Sequence, residues 1–351
     1  MAPYPTTPRL PVLALTLALL LAPVGALSAK DFEDAASGHI EHPAWFADSP
    51  FNDLEGLLDE ALSEGKTGLM VLYTTQGCSY CEHFIRVSLG DPEIAARVQA
   101  NFASVGLEIF DDREMTDPAG ESLPIKAFAD REGAGYSPTL LFYGKGGRRL
   151  VRQVGYQSPE RFSLILDYLI DGHAGQVSLR DYLRSIADKE APAAASPELR
   201  PDPLFMRPPY ALDRSRLPAA QPLLVIFEQA PCRACDDFHR QVLALDEVRD
   251  LLAGFEIARL DITDDETPVV TPDGTRTTPA RWWANSRFSR LPAMMFFEEN
   301  GRPVLETDAL VKRQRMLNSV NFVLQRAYEK DWTYQRFART TAIERQNRER
   351  Q

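Results

Sequence analysis

Apolar residues fall into two kinds of run along the chain. Leu69-Met70-Val71-Leu72-Tyr73 and Leu223-Leu224-Val225-Ile226-Phe227 are short and unbroken, the pattern of strands buried on both faces. Elsewhere the spacing is helical. Asn52 to Glu64 sets Leu54, Leu57, Leu58 and Ala61 on one face, and Arg313 to Tyr328 aligns Met316, Val320, Val323 and Ala327. Asp91-Pro92-Glu93 and Ser158-Pro159-Glu160 each combine an N-cap residue with proline at the first helical position. Ser178 with Asp181 has capping-box spacing. Phe102 to Phe110 alternates like a strand. Ser137 to Tyr143, the turn at Gly144 to Gly147 and Arg148 to Gly155 read as a hairpin, entered through Pro138.

The second half repeats the first. Cys78 and Cys232 lie 154 positions apart (232 − 78), as do Pro138 and Pro292 (292 − 138). At the same offset Phe84 matches Phe238, Phe142 matches Phe296, Gly147 matches Gly301 and Arg148 matches Arg302. Asp264-Asp265 echoes Asp111-Asp112 with a one-residue slip. Each half reads β-α-β, an insertion, a β-hairpin and a helix, which builds a mixed central sheet flanked by helices. Between the halves, Ala191 to Pro222 carries eight prolines and reads as an extended linker. Residues 1–29 are therefore expected to be a signal peptide, 30–190 the first domain, 191–222 a Pro-rich linker, 223–330 the second domain, and 331–351 a polar C-terminal tail that frays.

The signal assignment rests on Arg9, the apolar core from Pro11 to Leu21, its interruption at Pro23 and Gly25, and the small residues Ala26, Ser28 and Ala29. That core is shorter than the roughly 20 residues of a membrane span, so no stable membrane insertion is expected after cleavage. A formal charge of −11 opposes nucleic acid as a partner. The 351-residue chain contains four cysteines, Cys78, Cys81, Cys232 and Cys235, all in the two CxxC pairs, which favours chemistry over stapling. Zinc held by all four fits poorly, because each pair has its own strand-helix-proline frame. His39 and His42 have no third ligand nearby and read as a solvated loop. No metal or cofactor is expected.

A CxxC pair after a strand and at a helix start suits thiol-disulfide exchange. The thiolate is the nucleophile, and unpaired amides at a helix N-terminus favour negative charge there. Cys78 and Cys232 are the expected attacking sulfurs, with Cys81 and Cys235 resolving the mixed disulfide. Glu82 and Asp236 read as solvent-facing carboxylates, and His83 and His239 as exposed helical histidines.

Strand, CxxC at a helix start, and a strand entered through proline together resemble the thioredoxin superfamily, over most of residues 45–170 and 220–330. The resemblance implies two tandem thioredoxin-like domains of α/β class. It also implies cis peptide bonds at Pro138 and Pro292, placing Ser137-Pro138 and Leu291-Pro292 beside the dithiols as substrate-binding edges. The lead-in His42-Pro43-Ala44-Trp45-Phe46, the Cys-Ser-Tyr-Cys centre and the long insertion are similar to periplasmic SoxW-type thioredoxins. The departures are Gly77 and Pro231 before the pairs, and Leu72 and Ile226 where thioredoxins hold a buried aspartate.

The expected function is that of an exported, periplasmic thiol-disulfide oxidoreductase that reduces disulfide-containing protein substrates. The resemblance implies a membrane electron donor of the DsbD or CcdA type. The alternatives are a disulfide oxidase or isomerase, and a client-binding protein in which one domain is not catalytic.

Overall fold

The structure is a computed structural model that describes residues 32–35, 38–47, 53–190, 199 and 201–349. The expected signal peptide and residues 191–198 and 200 of the linker lie outside them. No described helix is long and apolar enough to cross a membrane.

In chain order the first domain contains α1 (Leu54–Ser63), β1 (Gly68–Thr74), α2 (Ser79–His83), α3 (Pro92–Asn101), β2 (Phe102–Glu108), β3 (Glu114–Thr116), β4 (Ser122–Pro124), α4 (Ile125–Arg131), β5 (Thr139–Gly144), β6 (Arg148–Val154), α5 (Pro159–Ile170) and α6 (Leu179–Glu190). The second contains β7 (Tyr210–Ala211), β8 (Leu223–Glu228), α7 (Arg233–Phe238), α8 (Asp246–Leu252), β9 (Glu256–Asp261), β10 (Val269–Val270), β11 (Arg276–Thr277), α9 (Pro279–Asn285), β12 (Ala293–Phe297), β13 (Pro303–Thr307), α10 (Arg313–Leu324) and α11 (Tyr334–Glu349). The capping residues read from sequence perform that role. Asp91 accepts from the Glu93 and Ile94 amides, and Ser158 from the Arg161 amide.

Each domain is built on a mixed four-stranded sheet, ordered β2-β1-β5-β6 in the first and β9-β8-β12-β13 in the second. The central strands β1 and β8 are buried along their whole length, which explains their unbroken apolar runs. Duplication extends to register. Met70 pairs with Phe142 and Leu224 with Phe296, both shifted by 154. The hairpins even carry a bulge at the same place, after Phe142 and after Phe296. The one-residue slip is also structural: Leu69 pairs with Ala103, whereas Leu223 pairs with Glu256.

The insertions are duplicated as well. Met115 pairs with Leu123 and Val269 with Thr277, again 154 apart. The carbonyl of Asp111 accepts from the Lys126 amide at 3.0 Å, and that of Asp264 from the Ala280 amide at 2.9 Å. Each loop acid thereby fastens the start of α4 or α9.

Two expectations at the domain edges are corrected. The described end of the linker belongs to the second domain: β7 pairs with β10, and Leu212 is buried in the core beside Val225 and Phe227. Residues 334–349 form helix α11 instead of a frayed tail, because Tyr334 and Phe337 bury against Phe322 of α10.

The domains also pack on each other. Tyr136 of the first joins the second domain's apolar core and stacks on Tyr334 with ring centroids 4.8 Å apart. Arg290 donates to the Tyr156 carbonyl and to Gln157 Oε1, both at 3.0 Å. Gly155, at φ +79°, sits so close to Ala309 that a Cβ would meet the alanine Cβ at 2.3 Å.

Candidate active sites

Both dithiols sit where a central strand hands over to a short helix. After β1 the chain turns through Gly77 into Cys78, and after β8 it turns through a cis Ala230–Pro231 bond into Cys232. Cys78 and Cys232 are the N-cap residues of α2 and α7. Both pairs are oxidised, with Cα–Cα separations of 5.3 Å for Cys78–Cys81 and 5.2 Å for Cys232–Cys235. The Cys81 amide points at Cys78 Sγ at 3.1 Å, and the Cys235 amide at Cys232 Sγ at the same distance. A donor held there stabilises a thiolate when the bond opens. A π-helical turn follows each helix, at Phe84–Ser88 and His239–Leu243. The Ser137–Pro138 and Leu291–Pro292 bonds are both cis.

The surroundings of the two pairs differ sharply. Around the second, Cys232 is half-buried, Arg233 and Ala234 are exposed, and Leu291 and Pro292 are half-buried. Around the first, Cys78 is 8 % exposed and Cys81, Ser137 and Pro138 are buried.

The cover over the first pair comes from a strap formed by residues 32–35 and Gly38 and from the last helices of the second domain. Gly77 donates to the Gly38 carbonyl at 3.0 Å, and a Cβ on Gly38 would strike the Cys78 carbonyl at 2.4 Å, so only glycine allows this approach. The Tyr80 hydroxyl donates to Asp34 Oδ2 at 2.8 Å and accepts from the Lys312 amide at 2.9 Å. Burial pushes that hydroxyl well above its ordinary pKa; Arg315 opposes the shift and the Asp34 charge adds to it. Asp34 also accepts from the Gln314 and Arg315 amides at 3.0 and 2.9 Å, capping α10 from a distant part of the chain. Arg315 is buried and lies over Tyr80 and Tyr136.

Several readings of single residues change. His83 is buried at 4 % exposure and stacks on Phe32, with centroids 4.1 Å apart, so it is no exposed helical histidine. His239 is half-buried and its Nε2 lies 2.9 Å from Glu228. Glu228 itself is only 1 % exposed. It stands two residues past Ile226, away from the position where thioredoxins hold an aspartate; its signal in the sequence is a glutamate closing an otherwise apolar strand. Glu82 is half-buried, whereas Asp236 is exposed as expected. His42 is no solvated loop residue. It bonds Thr74 Oγ1 at 3.1 Å and packs over Gly106, where a Cβ would meet its ring at 2.4 Å, and burial lowers its pKa.

The thioredoxin-like domain family matches residues 54–170 and again 212–324. The chain belongs to the thioredoxin-like family. Among solved structures it is similar to a thioredoxin-fold protein from Helicobacter pylori, at 15 % identity and TM-score 0.35, covering 41 % of this chain and 92 % of that one. A thioredoxin from Thermus thermophilus matches at 22 % identity and TM-score 0.27, covering 34 % and 85 %. The reduced C-terminal domain of DsbD from Neisseria meningitidis matches at 16 % identity and TM-score 0.26, covering 33 % and 93 %. No curated protein sequence matches the chain. The strap and α11 both lie outside the segments matched by the thioredoxin-like family, so part of the cover over Cys78 is an addition to that domain.

Proposed function

We propose that the protein is an exported thiol-disulfide oxidoreductase that reduces disulfides of other proteins in the periplasm. One observation carries the reading. The same arrangement occurs twice: a disulfide-forming CxxC pair whose first sulfur faces the amide of the second cysteine at 3.1 Å, in a domain entered at its third central strand through a cis-proline. The apolar segment from Pro11 to Leu21 supports export. The Cys-Ser-Tyr-Cys centre and the His42 to Phe46 lead-in support a place near the SoxW-type thioredoxins.

In the forward step, the thiolate of Cys78 or Cys232 attacks one sulfur of a client disulfide. The client S–S bond breaks, a mixed disulfide forms, and the departing client sulfur takes a proton from water. Cys81 or Cys235 then loses its proton to solvent and attacks the mixed disulfide. The intramolecular disulfide forms, and the second client sulfur leaves and is protonated. The client gains two electrons and two protons, and the CxxC pair loses them. A membrane-held dithiol donor returns the pair to the reduced form.

Trapping tests the chemistry. A Cys81→Ala or a Cys235→Ala variant, expressed in cells, retains clients as mixed disulfides that mass spectrometry identifies; recovery of none with both variants rejects the chemistry. Reduction potentials test the direction. Values below about −200 mV fit a reductant, and values near −120 mV fit an oxidase.

A further inference from the structure

Ser137 stands just before the cis-proline and two residues before the paired part of β5, whose register begins at Thr139. Its N–H and C=O therefore belong to no ladder. An extended polypeptide drawn alongside would engage such a backbone pair, donating to one group and accepting from the other. Both positions are filled by side chains of the second domain. The Ser137 amide donates to Gln335 Oε1 at 3.1 Å, and the Ser137 carbonyl accepts from the Arg315 guanidinium at 2.8 Å. Gln335 is carried by α11 and Arg315 by α10, which Asp34 caps. What is left among Cys78, Ser79, Tyr80, Tyr334 and these two residues is a crevice of about 50 Å³. A polypeptide cannot pair with Ser137 while these two side chains hold its amide and carbonyl. At the same offset in the second domain, Leu291 is half-buried, and Cys232 is more open than Cys78.

We propose that Arg315 and Gln335 are specificity-determining residues of the first centre: by occupying Ser137 they exclude polypeptide disulfides from Cys78–Cys81 and leave those clients to Cys232–Cys235. This rests on the oxidoreductase reading and deepens it by dividing substrates between the two centres. The two side chains imitate the hydrogen bonds of a client strand without offering a disulfide. A small disulfide needs no strand pairing, so the exclusion falls on polypeptides.

The test uses full-length protein with one centre left intact. The Cys232→Ser/Cys235→Ser chain keeps only the first centre, and the Cys78→Ser/Cys81→Ser chain only the second. For each, the rate with insulin is divided by the rate with 2-hydroxyethyl disulfide, whose reaction also reports that the dithiol is intact. The first centre is expected to show a ratio at least about tenfold lower than the second, as the closing of a strand site implies. Adding Gln335→Ala to the first-centre chain raises its ratio about fivefold, the equivalent of one hydrogen bond. Gln335→Glu, which still accepts from the Ser137 amide, leaves the ratio low. Equal ratios in the two single-centre chains overturn the inference. An unchanged ratio in Gln335→Ala overturns the part given to that residue. Reaction of both centres with the small disulfide but neither with insulin also overturns it. Failure of both centres with both disulfides overturns the oxidoreductase reading, and this inference with it.

Discussion

The guanidinium of Arg315 lies 3.3 Å from the centre of the Tyr80 ring, so a residue between the two cysteines of one domain is clasped by a helix of the other. Tyr80 also bonds Asp34 and the Lys312 amide through its hydroxyl. Tyr80→Phe keeps the ring under Arg315 and removes those two bonds. It is expected to lower stability by about 1–2 kcal/mol, read from the urea midpoint.

The same clasp predicts unequal thiol reactivity. In the reduced protein, iodoacetamide should label Cys232 about tenfold or more faster than Cys78, because the first centre must open before the reagent enters. Peptide mapping of partly alkylated protein measures both. Faster labelling at Cys78 would show that the cover is not closed in solution.

Asp34 supplies the end-cap for α10 from a strap nearly the whole chain away. Asp34→Ala should cost about 1 kcal/mol as a lost N-cap. It should also speed the labelling of Cys78, whereas Asp34→Asn, able to accept the same amides, should restore much of both. A change in stability with no change in labelling would separate the cap from the cover.

Much of this was legible in the sequence, and the limits have physical causes. The offset of 154 between Cys78 and Cys232 and between Pro138 and Pro292 carried the fold, because register and hairpin are local consequences of apolar runs and turns. The equivalence of the insertions at Met115 and Val269 was missed, since two- and three-residue strands leave little pattern. Helix α11 was missed for another reason. Its most buried side chains, Tyr334, Gln335 and Phe337, cluster at its beginning, and the remainder is mostly polar. No spacing rule links Gln335 to a backbone amide 198 residues earlier. Spacing alone offers Cys78 and Cys232 equally as attacking sulfurs; burial makes Cys232 the more accessible one.

Glu228 and His239 form a partly buried pair behind the second centre, with both carboxylate oxygens within 3.0 Å of Nε2. His239→Ala leaves an enclosed carboxylate without its ring partner and should cost about 1–3 kcal/mol in urea unfolding. Glu228→Gln, which retains a hydrogen-bonding group without the charge, should cost less. The reverse order would mean that the ring, and not the carboxylate, is the group needing a partner.

His42 provides a pH signature. Burial holds its folded-state pKa below the ordinary 6.5, so the unfolded chain binds the proton more readily. Its contribution is complete above about pH 6.5 and is lost as the pH falls through the interval down to the folded value. Thermal unfolding of wild type and His42→Asn, compared from pH 7.5 to 5, should show a stability difference that narrows on acidification. A constant difference would contradict this assignment.

The most direct test of the account is reduction of insulin by dithiothreitol with the protein as catalyst, followed by turbidity. Wild type should accelerate precipitation, and the variant with Cys78, Cys81, Cys232 and Cys235 all changed to serine should match the uncatalysed rate. Equal rates for wild type and this variant would contradict the claim that the two CxxC pairs carry out thiol-disulfide exchange.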